Sequence, residues 1–280
     1  MKLAVLADIH ANWPALQAVT EHLEAWRPDQ VIVAGDTVNR GPRPAECLRF
    51  VQDRQRTSGW LVVRGNHEEY VMTHAAPNAP RSGPSFELHR GSFWTYQQLG
   101  GSVADLEAMP LCLSLIGPDR NEVRVTHASM LGTREGIYRR TTDEELGRKI
   151  GSPAPALLCV GHTHIPLSRS LDGTLVVNAG SVGLPFDRDT RAGYAQMEWR
   201  NGRWRVEIVR LDYDRARAER DFFETGFIEG SALAHLVLIE LRQGRSQLYE
   251  WARQYESRIL SGEMTMHDSV QAFVQRMDIG

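Results

Sequence analysis

The chain has 280 residues, 42% hydrophobic and 24% charged, ordinary values for a globular protein long enough to bury a large core. A net charge of −3 and a pI of about 6.4 offer no basic surface for extended nucleic acid, though a small nucleotide substrate stays open. Cys47, Cys112 and Cys159 are odd in number and include no CxxC pair, and no apolar run suits a signal segment or a membrane span; the expected setting is the cytoplasm, away from membranes.

Leu3–Ala7 reads as a buried strand, followed by an amphipathic helix over Pro14–Trp26 with Leu16, Val19, Leu23 and Trp26 at helical spacing. Val31–Ala34 is the next strand, then a helix over Ala45–Gln55 and a strand at Leu61–Val63. This β-α-β-α-β order predicts an α/β sheet that is at least partly parallel. Residues 75–105 are punctuated by Pro77, Pro80, Gly83, Pro84, Gly91, Gly100 and Gly101, which predicts a loop-rich excursion with one short helix near Phe93–Leu99. Strands resume at Leu111–Ile116, Val123–Thr126, Leu157–Val160, Leu175–Val177, Tyr194–Trp199 and Trp204–Val209. Asn201-Gly202 supplies a two-residue hairpin turn between the last two, and the second half reads as antiparallel-rich. Beyond residue 211 the pattern turns helical. Leu248, Trp251, Tyr255 and Ile259 share one face; Met266, Val270, Phe273 and Met277 share another, behind a capping box from Thr265 to Asp268. The expected division is 1–211 and a helical extension over 212–280.

The residues at the strand ends carry the chemistry. Five strands run into Asp8-Ile9-His10, Gly35-Asp36, Gly65-Asn66-His67, His127 and Gly161-His162-Thr163-His164. Carboxyl ends of strands in open α/β sheets line the ligand crevice, so these groups can converge. Asp8, His10, Asp36, Asn66, His127, His162 and His164 offer two carboxylates, an amide oxygen and four imidazoles. That mixed set suits Mn, Fe, Zn or similar divalent ions, and seven donors exceed what one tetrahedral ion needs. His22, His74, His89, His235 and His267 stand alone and receive no role.

In this order the motifs Asp8-Ile9-His10-Ala11-Asn12, Gly35-Asp36-Thr37-Val38-Asn39-Arg40-Gly41, Gly65-Asn66-His67-Glu68, His127 and Gly161-His162-Thr163-His164 resemble the calcineurin-like metallophosphoesterase family. Asn178-Ala179-Gly180-Ser181-Val182-Gly183 resembles the stretch beyond them in small bacterial members, and the likeness spans about residues 2–200. It implies a four-layer α/β/β/α sandwich with a two-metal site. One ion would be held by Asp8, His10, Asp36 and His164 and the other by Asp36, Asn66, His127 and His162, with Asp36 bridging. His67 and Arg40 would face the phosphate. Two ions about 3.5–4 Å apart can clamp attacking and leaving oxygens and generate hydroxide at neutral pH. His67 can stabilise the leaving oxygen, and Arg40 can hold a phosphate oxygen through paired donors.

The sequence departs from the family at Asn39, where the protein phosphatases and their dinucleotide-hydrolase relatives carry a carboxylate partner for the histidine; an asparagine carbonyl can orient His67 but lacks a full charge. Ala128 and Ala179 replace a common Gly and Pro. The implied activity is hydrolysis of a phosphodiester or nucleotide-type phosphate. The alternatives are a phosphomonoesterase acting on phosphoproteins or small metabolites and, more remotely, a non-catalytic scaffold of the same fold. The expected partners are a small phosphate ester or nucleotide and, through the C-terminal helices, a second copy of the chain.

Overall fold

In and just after the first strand, Leu3, Val5 and Ala7 join one apolar cluster while Ala4 and Leu6 join another, and all five are fully buried. Such alternation belongs to a strand covered on both faces, and it sets the layering of the molecule. The computed structural model describes residues 1–278. The chain opens with β1 (Lys2–Leu6), α1 (Trp13–Trp26), β2 (Gln30–Val33), α2 (Pro44–Ser58) and β3 (Leu61–Val62). Short helices come next: α3 (Asn66–Met72), a 3-10 turn (Thr73–Ala75), α4 (Pro84–Leu88), α5 (Arg90–Gln98) and α6 (Ala104–Glu107). Then come β4 (Cys112–Ile116), β5 (Glu122–Thr126), α7 (Asp143–Ile150), β6 (Leu157–Val160), β7 (Leu167–Leu171), β8 (Thr174–Asn178), β9 (Ala192–Arg200) and β10 (Arg203–Leu211). The chain closes with α8 (Arg215–Glu224), α9 (Phe227–Gly230), α10 (Ala234–Gln243), α11 (Leu248–Leu260) and α12 (Met266–Asp278).

One sheet has the order β10-β9-β1-β2-β3 and the other β4-β5-β6-β8-β7. Leu3, Val5, Ile32 and Val63 of the first meet Val123, Val125, Leu157 and Val177 of the second in a core between the sheets. Outside the first sheet lie α1 and α2, through Leu16, Val19, Leu23, Cys47, Leu48 and Val51. Outside the second lies α7, through Leu146 and Ile150 against Leu158, Val160 and Val176. The result is the four-layer α/β/β/α sandwich.

Three expectations need correction. Residues 75–105 hold α4, α5 and the start of α6 rather than one short helix. The second sheet is mixed: β5, β6 and β8 run parallel, and only the edge pairs β4–β5 and β7–β8 are antiparallel. The β9–β10 hairpin belongs to the first sheet, where β9 pairs antiparallel with β1. Its turn does use Asn201 and Gly202 at φ 52° and 75°, the left-handed pair that a two-residue hairpin demands.

The C-terminal apolar faces find partners within the chain. Trp251, Tyr255 and Ile259 of α11 pack with Met266, Val270 and Phe273 of α12 and with Leu236 of α10. Thr265 caps α12, accepting from the Asp268 N–H at 3.1 Å. Phe222, Phe227, Val237 and Leu241 of α8–α10 pack on Trp94 and Leu184. Phe227 lies between Trp94 and Phe222, with ring centroids 4.7 and 5.5 Å away. Phe227→Ala should therefore cost about 3–5 kcal/mol of stability, read as a lowered midpoint in urea; an unchanged midpoint would show that this junction contributes little. Among the described residues no helix is long and apolar enough to cross a membrane.

Candidate metal centre

The polar groups gather at one end because β1, β2 and β3 run parallel, as do β5, β6 and β8. Backbone bonds then stitch the loops together: Asp8 N–H donates to Gly35 O at 3.1 Å, His10 N–H to Asp36 O at 2.9 Å, and Gly161 N–H to His127 O at 2.8 Å. Another bond ties the two sheets together, from His162 N–H to Asp8 Oδ2 at 2.8 Å. Asp8, His10, Asp36, His162 and His164 all have φ between 47° and 71°, in the left-handed region. Each such residue costs about 1–3 kcal/mol and persists where its surroundings over-determine it, which is the behaviour of functional sites. Two glycines make room. A Cβ on Gly35, itself at φ 89°, would stand 2.5 Å from His127 Nδ1, and one on Gly65 would stand 2.1 Å from Asp36 Oδ1.

Three of the four imidazoles are aimed the same way. The Nδ1 atoms of His10, His127 and His164 lie against the carbonyls of Asn39 (3.2 Å), Ala34 (2.8 Å) and Leu184. A carbonyl only accepts, so each Nδ1 carries the proton and each Nε2 can present a lone pair to the site. His162 presents Nδ1 instead, 2.9 Å from Asn66 Oδ1. The consequence is a cluster of acceptors. His10 Nε2 and His164 Nε2 are 3.1 Å apart, and Asp8 Oδ1, fully buried, has no hydrogen-bond partner although His164 Nε2 is 3.5 Å from it. On the other side His127 Nε2 lies 2.9 Å from Asn66 Oδ1 and 3.3 Å from Asp36 Oδ2. Acceptors facing acceptors in a buried site need a cation between them. Asp8, His10 and His164 form one group that could hold an ion, and Asp8, Asp36 and His127 another.

The electrostatics agree. Burial, reinforced by the neighbouring Asp36, pushes Asp8 well above the usual carboxylate range. Burial alone would raise Asp36 too, but His127, His67 and His10 outweigh it and hold that carboxyl well below the range. Burial and then Arg40 and other histidines hold His10 and His164 neutral, and burial with His127 brings His162 down to about 4. His127 goes the other way: its burial is overridden by the Asp36 carboxylate, which lifts it to about 10. The proton on His127 stands where a metal cation would, serving the same carboxylate.

His67 also reaches the centre. It forms a third potential ligand group with His10 and Asp36, and its ring stands edge-on to His10 at 4.8 Å. Its relation to Asn39 differs from the expectation. Asn39 Oδ1 is occupied, accepting from the Arg40 N–H at 2.9 Å and from Thr95 Oγ1 at 3.4 Å. The amide nitrogen, not the carbonyl, therefore faces His67 Nδ1 at 2.9 Å. That ring nitrogen must accept, so His67 is a neutral ring with its proton on Nε2. Burial, with Arg40 nearby, keeps it neutral down to about pH 3.

Two buried acids have roles that the sequence does not announce. Glu68 lies at the end of the Gly65–Glu68 motif and accepts from the backbone N–H groups of Asp36, Val38 and Gly65 at 2.8–3.1 Å, bracing the loop that carries Asp36. Glu240 belongs to no motif, and its carboxylate meets Arg40 Nη2 at 2.8 Å. The histidines given no role stay outside the cluster: His22 pairs with Tyr194 Oη at 2.8 Å and His74 with Ser92 Oγ at 2.8 Å.

Known proteins resemble this chain in sequence and fold. A protein of Methanocaldococcus jannaschii of uncharacterised activity is 26% identical over 236 residues, 77% of this chain and 89% of its own length. The symmetrical bis(5'-nucleosyl)-tetraphosphatase of Psychromonas ingrahamii is 33% identical over 73 residues, 26% of each chain. A metallophosphoesterase from Sphaerobacter thermophilus superposes with a TM-score of 0.68 at 28% identity, covering 87% of this chain and 99% of its own. A hypothetical protein from Pyrococcus horikoshii shares the fold, with a TM-score of 0.74 at 23% identity over 88% of this chain and 99% of its own. The family model for the calcineurin-like phosphoesterase superfamily domain matches residues 1–202. The chain belongs to that superfamily, whose members use divalent metals, and is a metal-dependent phosphoric ester hydrolase.

Proposed function

We propose that the protein hydrolyses a phosphodiester or nucleotide-type phosphate at a pair of divalent ions. Asp8, His10, Asp36 and His164 would hold one, and Asp36, Asn66, His127 and His162 the other, with Asp36 shared. The observation that carries this reading is the pair of opposed acceptor sets, His10–His164–Asp8 on one side and His127–Asn66–Asp36 on the other. Such ions supply a nucleophile at neutral pH and charge stabilisation for a phosphoryl group. Arg40 then offers donors to a phosphate oxygen, and His67, with its Nε2 proton, donates to the leaving oxygen.

Two further observations support a nucleotide-type substrate. Tyr70 stands edge-on to His67 at 5.2 Å, with the Arg134 guanidinium 4.9 Å from its ring, so the rim beside the leaving-group histidine is aromatic and cationic. That suits an aryl group or a base. The tetraphosphatase relative is named for a dinucleoside polyphosphate, over its matched quarter. We place the catalytic part at 1–211 and the extension at 212–280; three free cysteines, two of them buried, suit a cytoplasmic setting.

The test is turnover of mono-, di- and dinucleotide phosphates after chelation and reconstitution with Mn, Fe or Zn separately. The expected result is preferential hydrolysis of a diester or a nucleotide anhydride. Preference for alkyl monoesters would favour the monoesterase reading, and no turnover with any metal would overturn both.

A further inference from the structure

The family model ends at residue 202, yet α8 and α10 beyond it each deliver a fully buried acid to the loop after β2. Glu240 Oε2 accepts from Arg40 Nη2 at 2.8 Å, and Asp221 Oδ1 accepts from Arg43 Nη2 at 2.7 Å. The loop they hold runs Asn39-Arg40-Gly41-Pro42-Arg43. Asn39 and Arg40 both lie in the left-handed region, at φ 67° and 60°. Gly41 is pressed so closely on the loop after β1 that a Cβ there would lie 2.0 Å from the His10 carbonyl oxygen. Backbone of this kind keeps its shape only when neighbours fix it.

Glu240 is itself fixed. Its Oε1 accepts from the backbone N–H groups of Gln247 and Leu248, at 2.6 and 2.9 Å, where α11 begins. Only Oε2 is left for Arg40. On Arg40, Nη2 is taken by Glu240, while Nε is buried without a partner. The guanidinium stands 5.6 Å from the Phe186 ring, and that ring stacks on His164 at 4.2 Å. A planar fork held from behind, 15% exposed and lining the cavity beside His10, is prepared for an anion in a way that a freely moving arginine is not.

We infer that Glu240 is a positioning residue: from the C-terminal helices it holds Arg40 so that the exposed part of the guanidinium meets a phosphate oxygen, which makes the extension part of the active site. This rests on the reading of Arg40 as the phosphate-binding residue. Glutamine cannot replace the acid. A carboxylate accepts on both oxygens, whereas an amide can serve either the N–H groups of α11 or Arg40 and must turn NH2 towards the other.

The test uses the full chain, reconstituted with metal, as wild type, Glu240→Gln, Arg40→Ala and the double variant. For each, KM and kcat are measured on bis(p-nitrophenyl) phosphate and p-nitrophenyl phosphate, binding of inorganic phosphate by calorimetry, and folding by thermal midpoint. Both single variants should weaken phosphate binding and raise KM about tenfold or more, and the double variant should be no worse than Arg40→Ala. If Arg40→Ala is impaired and folded Glu240→Gln is not, the role of Glu240 falls while that of Arg40 stands. If neither changes phosphate binding, the reading of Arg40 falls first. Additive losses, or a loss confined to Glu240→Gln, would mean that Glu240 does not act through Arg40. Should Glu240→Gln fail to fold, Glu240→Asp keeps the charge but shortens the reach, and the same pattern is required of it.

Discussion

Asp36→Asn should lower turnover by more than about 10³-fold and reduce the metal content of the purified protein on both sides of the centre. The loss should exceed the roughly 10–100-fold cost of removing an outer partner of a metal ligand, because a single carboxylate serves two acceptor sets. Asp36 Oδ2 lies 3.7 Å from His10 Nε2 and 3.3 Å from His127 Nε2, while Oδ1 accepts from the His67 N–H at 2.9 Å. Asparagine can keep the contact to the His67 backbone through its own oxygen. It then directs NH2 into the place where a cation would sit, so the fold survives and the charge does not. His10→Ala, by contrast, should lower metal content on one side only. Elemental analysis of the two variants after identical metal loading separates them, with thermal midpoints as a second readout: added metal should stabilise wild type, by about 2.7 kcal/mol at a hundred times its Kd, and Asp36→Asn far less. Two full equivalents of metal in Asp36→Asn would end the assignment of Asp36 as the shared ligand.

The second large effect is expected at His67. His67→Ala should slow hydrolysis of esters with poor leaving groups by about 10²–10⁴-fold, the usual contribution of a positioned acid, and should slow aryl esters much less. Asn39 sets the terms of this assistance. By donating to Nδ1 it keeps the proton on Nε2, towards the site, but leaves the ring neutral. A neutral imidazole is a weaker acid than an imidazolium. With its pKa held to about 3, His67 stays in one protonation state across the working range and adds no limb to the pH profile there. Asn39→Asp should change this. A carboxylate at Nδ1 favours the doubly protonated ring and raises its pKa, so stronger acid assistance is present below the new pKa and fades as pH rises through it. The variant should show a descending basic limb absent from wild type and a smaller dependence of rate on leaving-group pKa. A series of substituted aryl and alkyl phosphate esters at fixed metal loading measures both. Equal slopes in the two enzymes, with chemistry rate-limiting, would show that position 39 does not tune His67.

The centre of this site is legible in the sequence because of how buried strands are written. β1, β2 and β6 are covered on both faces and end as unbroken apolar runs, so the first charged or imidazole residue after each run marks a strand end. Asp8, Asp36 and His162 are found that way, while His127 follows a strand in which Val123 and Val125 alternate with Arg124 and Thr126. Elements with weaker patterns are not. β7 reads Leu-Ser-Arg-Ser-Leu at a sheet edge, too short and polar to stand out, and α7 shows only Leu146 and Ile150 among charged residues. α10 carries a dense apolar run, Leu236 to Ile239 and then Leu241, in which the single acid looks incidental. Nothing local to Glu240 points to Arg40. The roles of Asn39 and Glu68 share this difficulty: the residues sit in recognisable motifs, but which atom faces which neighbour depends on Thr95, Val38 and Gly65, placed by the tertiary fold.

The span of the Arg40–Glu240 ion pair, 200 residues along the chain, has a consequence for biosynthesis. At about 5–20 residues per second the ribosome adds Glu240 some 10–40 s after Arg40. Through that interval the nascent polypeptide gains every histidine and aspartate proposed for the metal centre before it gains the acid proposed to steady the arginine. A chain released early, by a premature stop or by a protease cutting ahead of α10, would lose that brace and also the α10 packing on Leu184, whose carbonyl holds the His164 ring, so truncated products should hold phosphate less well than the finished protein.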